Sequence, residues 1–152
     1  MAHAEVAQAL ATTPPHAALP AVLATWRRHA AALAALQPPP GSADTRFHQV
    51  LDAPSTYHET SVTAMTCYSL ATGILKGFLD KASFDATLRA AWAGVAAAVP
   101  TNGEVEGICE GTPIGNNTAF YEARKTFWNG SSPGLGAVFR CAAAMEEYLA
   151  AA

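Results

Sequence analysis

The chain has 152 residues, 51% of them hydrophobic and 14% charged, with a formal net charge of -3 at pH 7. This composition fits one folded domain with a sizeable buried core and disfavours disorder over most of its length. The nine basic residues are scattered, so the chain lacks the clustered positive surface that nucleic acid or an anionic membrane requires.

The cysteines and the lengths of the apolar stretches exclude further classes of protein. Cys67, Cys109 and Cys141 are far apart and odd in number, which fits neither a closed disulfide framework nor a paired-thiolate zinc site. We therefore predict free, mostly buried thiols. No basic flank precedes an apolar run at the amino terminus, and no apolar stretch reaches roughly 18 residues, so we predict neither a signal peptide nor a membrane span. A cytoplasmic location is the default expectation.

The first third of the chain predicts one helix and a weakly structured start. Residues 1–17 are rich in Ala, Thr and Pro without convincing periodicity, so we predict a loose tail or a poor helix. From Pro20 onward apolar residues, including Trp26 and Leu33, recur on one face of an amphipathic helix. This helix stops at a proline run beginning at Pro38, and a linker leads to a strand-like stretch.

The middle of the chain differs in kind. Between Glu59 and Lys76 there is no charge, and small, hydroxyl and apolar residues occupy every face, which predicts a helix buried on all sides. Ser83 can cap the next helix, whose apolar stripe includes Phe84 and Leu88 and is again one-sided.

A loop of about thirty residues follows Pro100, which is long for a compact domain and therefore indicates a functional or covering segment. Its glutamates lack the alternating oxygen ligands of a calcium loop, so we predict a solvated hairpin instead. The last helix begins near Ser132 and Pro133. One-sided and fully buried helices thus alternate, as the outer and inner layers of an αα-hairpin array would. The alternation alone is compatible with a bundle, a solenoid or part of a toroid.

Three sequence blocks carry a resemblance to a known family. Arg46 to Asp52 reads RFHQVLD, residues 57–65 read YHETSVTAM, and residues 107–112 read GICEGT. Together with a turn at 76–80 and the stretch 133–137, they resemble glycoside hydrolase families 88 and 105, the unsaturated glucuronyl and unsaturated rhamnogalacturonyl hydrolases. The resemblance covers roughly residues 22–149. It corresponds to the carboxy-terminal part of these enzymes.

The resemblance implies an all-α fold that is a partial (α/α)6 toroid, an incomplete six-hairpin barrel with a short strand-like hairpin and a long loop. Residues 18–152 would form the carboxy-terminal portion of a six-hairpin glycosidase-like domain. The family hydrates the double bond of an unsaturated uronic acid at the end of a pectin-derived oligosaccharide, and the hemiketal so formed opens to release the sugar. No metal or organic cofactor is implied.

The resemblance also implies that the general acid/base aspartate lies in an amino-terminal half that has no counterpart here. We therefore expect no catalytic residue in this chain, which looks truncated, and no activity of the chain alone. A complementary half-barrel chain, or self-association, would be needed to complete the site. The sequence also departs from the family at 129–134, where many relatives carry an acidic residue after the Asn and a His before the Gly.

Candidate substrate-binding residues lie first in the segment before the buried helix. The family resemblance places His48 and Gln49 near the pocket, where an imidazole or amide could bind a sugar hydroxyl. Their alternative is an ordinary polar loop. Glu59 either caps the buried helix or accepts hydrogen bonds from sugar hydroxyls.

A second candidate group lies in the long loop and before the last helix. Tyr121, Arg124 and Trp128 form a sugar-gripping set, because aromatic faces stack on pyranose rings and arginine pairs with a carboxylate. Core packing is the rival interpretation for both aromatic residues. Free amides at a helix start can bind an anion or hydroxyl, and ordinary capping is the alternative there. The polar residues before that helix are Asn129, Ser131 and Ser132.

The sequence therefore supports three hypotheses. The first is a hydrolase of this family that acts on unsaturated oligosaccharides once the missing half is supplied. The second is a non-catalytic helical sugar-binding or protein-interaction module that uses the opened toroid as a groove, since large apolar patches seldom stay bare in water. The third is an incomplete gene product that does not fold stably alone.

Overall fold

The computed structural model describes residues 1–12, 14–39, 41–127 and 134–151. Over these residues the chain is mostly helical, with one short antiparallel pair of strands. The helices are α1 (Ala2–Leu10), α2 (Leu19–Ala35), α3 (Thr60–Leu75), α4 (Lys81–Ala97), α5 (Thr118–Glu122) and α6 (Leu135–Ala150). Strands β1 (Ile108–Cys109) and β2 (Thr126–Phe127) pair with each other.

Helix α3 is the centre of the fold, and the absence of charge within it explains why. Ten of its sixteen residues are buried, and it packs against α1, α4 and α6. The prediction of a buried helix is confirmed for these faces. One stripe remains open, however, because Met65 is 38% exposed and Tyr68 is only half-buried. The hydrophobic core lies between α3 and its neighbours.

Helices α3 and α6 run parallel, side by side, and α1 joins them through Glu5. A Cβ atom on Gly134, just before α6, would lie 2.9 Å from the Cβ of Ser61 in the first turn of α3. Further along, Tyr68 of α3 and Arg140 of α6 both donate to the carboxylate of Glu5 in α1. Helices α2 and α4 pack behind this row. The predicted alternation of inner and outer helices is therefore confirmed, and the arrangement is a partial α/α toroid.

Of the two alternatives predicted for the start of the chain, a loose tail or a poor helix, the structure shows a helix over residues 2–10, namely α1. Ala4 and Ala7 are completely buried, and Glu5 is bonded to two other helices. Intrinsic propensity and periodicity are weak in this alanine-rich segment, so its order comes from tertiary contacts that the local sequence does not display.

The helices begin and end near the residues that the sequence predicts, with one correction to a capping residue. Helix α2 carries a proline in its first turn and ends before Pro38, as predicted. Helix α4 is capped by Asp80 rather than by Ser83, since the Asp80 carboxylate accepts the Ser83 backbone N–H at 2.9 Å. The predicted start of the last helix at Ser132 and Pro133 lies outside the described residues.

Cysteine chemistry matches the prediction of free, mostly buried thiols. Cys67 and Cys141 are buried and Cys109 is half-buried, and none forms a disulfide. The neighbouring Cys141 thiol and burial raise the pKa of Cys67, so this thiol stays protonated. Of the helices in the described part of the chain, none combines the length and apolarity needed to cross a bilayer.

Candidate functional site

A short two-stranded ribbon precedes α3, made of residues 47–49 and 57–59. His48 and His58 form a single antiparallel bridge. On either side of it, Gln49 donates its N–H to the Tyr57 carbonyl, and Glu59 donates its N–H to the Phe47 carbonyl, both at 2.8 Å. The predicted strand-like stretch is therefore reduced to this bridge. Its register nevertheless sets the direction of the side chains around it.

Side chains alternate along the ribbon, so it has two faces. We call the first the histidine face, where the rings of His48 and His58 stack with centroids 4.3 Å apart. The second, the tyrosine face, faces α3 and β1. Its side chains belong to Phe47, Gln49, Tyr57 and Glu59. His48 and Gln49, which the sequence placed together, thus lie on opposite faces.

Glu59 anchors the tyrosine face at the start of α3, where it is the N-cap and only 2% exposed. Its carboxylate accepts the Val62 N–H at 2.6 Å, the Ser61 hydroxyl at 2.9 Å and the Cys109 N–H at 2.9 Å. These bonds occupy both oxygens and fasten β1 to α3. They support the capping interpretation of Glu59 and leave little capacity for a sugar hydroxyl.

The segment before β1 is held against α3 by a second set of bonds. The Thr60 N–H donates to the Gly107 carbonyl at 2.8 Å, and the Arg46 Nη1 donates to the Thr60 hydroxyl at 2.8 Å. Gly107 has a φ of +72°, and a Cβ there would lie 2.4 Å from Arg46 Nη1. Glycine is thus required both by its backbone conformation and by the close approach of Arg46.

The Tyr57 hydroxyl is the unusual group of the tyrosine face. Its oxygen is buried and makes no hydrogen bond within the described part of the chain. Burial raises the pKa of Tyr57, and the adjoining Cys109 thiol and Glu59 carboxylate raise it further, whereas Arg124 opposes them. Gln49 reaches the same place, since its Nε2 lies 3.5 Å from the Cys109 sulfur. A buried phenol hydroxyl without a hydrogen-bond partner can donate to an acceptor that a ligand supplies.

Arg124 stands at the edge of this cluster. Its Nη2 lies 2.7 Å from the Glu110 carboxylate, and its Nε donates to the Gly111 carbonyl at 3.1 Å. The guanidinium also lies over the Phe120 ring, 5.9 Å from its centroid. Glu110, predicted to be a solvated hairpin residue, therefore neutralises Arg124. Both side chains remain about 30% exposed, so a ligand carboxylate could exchange with Glu110.

Tyr121 holds the loop beside Arg124. Its hydroxyl accepts the Gly115 N–H at 3.1 Å and donates to the Gly115 carbonyl at 3.3 Å. Its ring meets Phe120 edge to face at 5.3 Å. The structure thus brings Tyr121 and Arg124 together around Phe120. The remaining predicted residues, Trp128, Asn129, Ser131 and Ser132, lie outside the described residues.

The candidate site on the tyrosine face therefore comprises Gln49, Tyr57, Glu59, Cys109 and Arg124. Two of them, Tyr57 and Cys109, were not among the residues chosen from the sequence. For Tyr57, the period-two alternation with Glu59 indicates that both side chains lie on the same face. Cys109 lies in the 107–112 motif block, but its place beside Tyr57 could not be predicted, because it depends on a bond to a residue fifty positions earlier.

Comparison with known proteins places this geometry in context. The model of Glycosyl Hydrolase Family 88 matches residues 1–149. This match includes α1, which lies upstream of the motif blocks. Among curated protein sequences, none matches the chain significantly.

Solved structures match almost the whole chain. A possible member of the GH105 family from Salmonella enterica serovar Paratyphi A has 19% identity over 95% of this chain and 37% of its own, with a TM-score of 0.79. A family 105 glycoside hydrolase of C. acetobutylicum has 23% identity over 97% and 42%, with a TM-score of 0.79. A structure described as a polysaccharide lyase has 27% identity over 99% and 40%, with a TM-score of 0.76. The chain thus spans 37–42% of the length of these proteins.

Proposed function

Because the chain belongs to glycosyl hydrolase family 88, we propose that it forms part of an enzyme that removes unsaturated uronic acid ends from pectin-derived oligosaccharides. The reaction is hydration of the sugar double bond, followed by opening of the resulting hemiketal. The observation that carries the proposal is the buried Tyr57 hydroxyl, which has no hydrogen bond within the described residues. A sugar oxygen would supply the acceptor that this hydroxyl lacks.

Charge at the site supports an anionic sugar. Arg124 is the cation of the candidate site and its charge acts on Tyr57, and an arginine pairs bidentately with a carboxylate. A uronate would exchange with Glu110 at the exposed side of the guanidinium. We assign Arg124 and Gln49 to substrate binding. Tyr121 and Glu59 position the loop and the helix around them.

The division of labour within the enzyme is the second part of the proposal. Since the chain spans 37–42% of its structural neighbours, the remainder of a toroid would supply the general acid/base and complete the cavity. Proton delivery by a placed carboxyl contributes roughly 10² to 10⁴-fold to rate, so we expect the chain alone to show no measurable turnover.

Two apolar grooves at the lateral edges of the partial toroid support docking of its remaining helices. One, of about 440 Å³, lies between α4 and α6 and includes Trp92, Val138 and Phe139. Phe139 is 68% exposed, which is unusual for so large an apolar side chain. The other, of about 340 Å³, lies between α1 and α2 and includes Val6 and Val22.

The test is an assay with an unsaturated digalacturonide, whose conjugated double bond loses its absorbance on hydration. The chain is assayed alone and together with the amino-terminal half of the C. acetobutylicum relative. We expect turnover only in the mixture. Turnover by the chain alone would overturn the division of labour. A stable complex without turnover would overturn the enzyme proposal, and sugar binding by that complex would favour a non-catalytic module.

Two variants sharpen this assay. Phe139→Asp places a charge in the α4–α6 groove and should abolish both assembly and turnover. Arg124→Lys should raise KM more than it lowers kcat, because lysine cannot form the bidentate pair. Arg89 forms an exposed ion pair with Asp85, and Arg89→Lys is the matched control. It should change neither the assembly nor the kinetic constants. An increase in absorbance on saturated pectin would instead indicate a lyase.

A further inference from the structure

The carboxylate of Asp44 contacts both the histidine face of the ribbon and the Arg46 guanidinium. Its Oδ2 lies 3.4 Å from Nδ1 of His58 and 2.6 Å from Nη2 of Arg46. Its Oδ1 accepts the backbone N–H of Arg46 at 2.9 Å and the Nε–H of the same residue at 3.1 Å. Burial alone would raise the pKa of Asp44, but its bonds to Arg46 lower the pKa below its ordinary value. Asp44 is therefore an ionised carboxylate shared by an imidazole and a guanidinium.

Arg46 extends this contact to the segment before β1. Because Asp44 occupies Nε and Nη2 of the guanidinium, Nη1 is left to donate to the Thr60 hydroxyl, at 2.8 Å. The Thr60 hydroxyl in turn donates to the Glu106 carbonyl at 2.5 Å, and Thr60 is completely buried. We call the four side chains of His58, Asp44, Arg46 and Thr60 the relay. It is a continuous line of contacts from the histidine face to residue 106.

The segment that Thr60 holds leads directly into the candidate site. Further along this segment, the Cys109 sulfur accepts N–H groups from Gln49 at 3.5 Å and from Gly111 at 3.4 Å. Cys109 is half-buried, whereas the other two cysteines are completely buried. The position of the Cys109 sulfur therefore depends on how firmly the 106–109 segment is held against α3.

His58, at the other end of the relay, is the one member whose charge changes near neutral pH. Burial lowers the pKa of His58, and Asp44 opposes this. The stacked His48 ring and Arg46 lower it further, and Asp52 lines the same cavity beside the ring. Once protonated, the imidazolium would attract Oδ2 of Asp44, which is the oxygen that Nη2 of Arg46 uses. Two cations would then compete for one oxygen, and the bond between Asp44 and Arg46 would weaken.

We propose that Asp44 is a positioning residue of the candidate site. Through the relay it holds the 106–109 segment against α3, and a proton on His58 weakens this hold. The importance of this segment for turnover rests on the proposed function. An ion pair with a purely structural role would contribute equally at every pH between about 5 and 7.5, since both of its charges persist there. The relay instead loses the contribution of Asp44 as His58 takes up its proton.

The test follows the reaction of Cys109 in the full chain with 4,4′-dithiodipyridine, a disulfide that reacts with accessible thiols even in mild acid. Because the other two cysteines are completely buried, the fast phase should belong to Cys109 and be absent in Cys109→Ser. We expect Asp44→Asn to speed this reaction about fivefold at pH 7.5, the effect of losing one hydrogen-bonded contact. As the pH falls to about 5, the ratio of the two rates should fall toward one. No acceleration, or a ratio that is the same at both pH values, would overturn the proposal.

Further variants separate the relay from a general loss of stability. In a His58→Gln background, Asp44→Asn should speed the reaction to the same extent at both pH values. Arg46→Lys cannot bond Asp44 and Thr60 at once, so at pH 7.5 it should give the same acceleration as Asp44→Asn. Asp85→Asn is the matched control, because Asp85 also pairs with an arginine, and it should leave the rate unchanged.

Equal effects of Asp44→Asn and Asp85→Asn would contradict the assignment, as would a pH dependence that persists without His58. Circular dichroism checks that each variant is folded. The readout is the reaction of one thiol in the chain alone, with no sugar present. Failure of the turnover assay would therefore leave this result standing, and the reverse also holds.

Discussion

The Glu59 carboxylate accepts the backbone N–H of Cys109 at 2.9 Å and so joins the start of α3 to β1 across fifty residues. The same carboxylate caps α3 through Val62. One buried side chain therefore fixes both the helix that forms the core and the strand that carries Cys109 to Tyr57. This bond holds Cys109 of β1 next to the other residues of the candidate site.

Replacing Glu59 should be costly. Glu59→Ala leaves the Val62 and Cys109 N–H groups without their acceptor, and we expect the free energy of unfolding to fall by about 2–3 kcal/mol. Glu59→Gln keeps one oxygen and should cost about 1 kcal/mol. Urea unfolding followed by circular dichroism measures both. Asp80→Ala, which removes the exposed cap of α4, is the control and should cost less than Glu59→Ala. A larger loss in the control would contradict the role given to Glu59.

The Tyr57 hydroxyl should contribute almost nothing to stability. Because it is buried without a hydrogen bond to the described residues, Tyr57→Phe should leave the free energy of unfolding unchanged or raise it by up to about 1 kcal/mol. Tyr121→Phe is the matched variant. Its hydroxyl bonds two backbone groups of Gly115, so its loss should cost about 1 kcal/mol. Thermal unfolding distinguishes the pair, and equal losses would show that Tyr57 has a structural partner after all.

Stability should depend on pH through His58. Burial lowers the pKa of His58 below its ordinary 6.5; Asp44 opposes this, and His48 and Arg46 reinforce it. A depressed folded-state pKa means that the unfolded chain binds a proton more readily. The free energy of unfolding should therefore be highest above pH 6.5 and fall as the pH drops through the lower folded-state pKa.

The variant His58→Gln should reduce this acid-side loss without abolishing it. His29 has a pKa lowered by burial and by His3, so it contributes to the same loss. Urea unfolding at a series of pH values between about 7.5 and 5 measures the slope for the wild-type chain and for each single variant. An unchanged slope in His58→Gln would be inconsistent with the burial described for this ring.

Two glycines with similar positive φ angles make a controlled pair. Gly103 and Gly107 both have positive φ, but only at Gly107 would a Cβ meet Arg46 and Thr60. Gly103→Ala should cost about 1 kcal/mol from backbone strain alone. Gly107→Ala should cost at least about 2 kcal/mol, because it also separates Arg46 from Thr60. Equal losses in urea unfolding would show that Arg46 can move away freely.

The sequence predicted the layered arrangement because its determinants are local. The charge-free stretch after Glu59 predicts a buried helix, and the flanking helices carry one apolar stripe each. The order of α1 could not be predicted this way. Helix α1 packs against α2 and α3, and its Glu5 is bonded by Tyr68 and Arg140 from helices far along the chain.

The candidate site was predicted only in part for the same reason. Gln49 and Glu59 came from motif blocks and Arg124 from the chemistry of its side chain, and the structure places all three near Tyr57. The separation of His48 from Gln49 follows from the alternation of side chains along an extended segment, but which of the two is directed to the site depends on the tertiary packing of the ribbon, which no local pattern specifies.

The bridge between His48 and His58 also limits how the family can vary here. Strand side chains have a period of two, so a slip of one residue in the strand that carries Tyr57 and His58 would bring the His58 imidazole onto the site side and move the Tyr57 phenol away from it. Natural variants should thus change the intervening 50–56 turn in ways that preserve parity. Insertions that shift only one strand should be found together with loss of both the stacked histidine pair and the buried tyrosine hydroxyl.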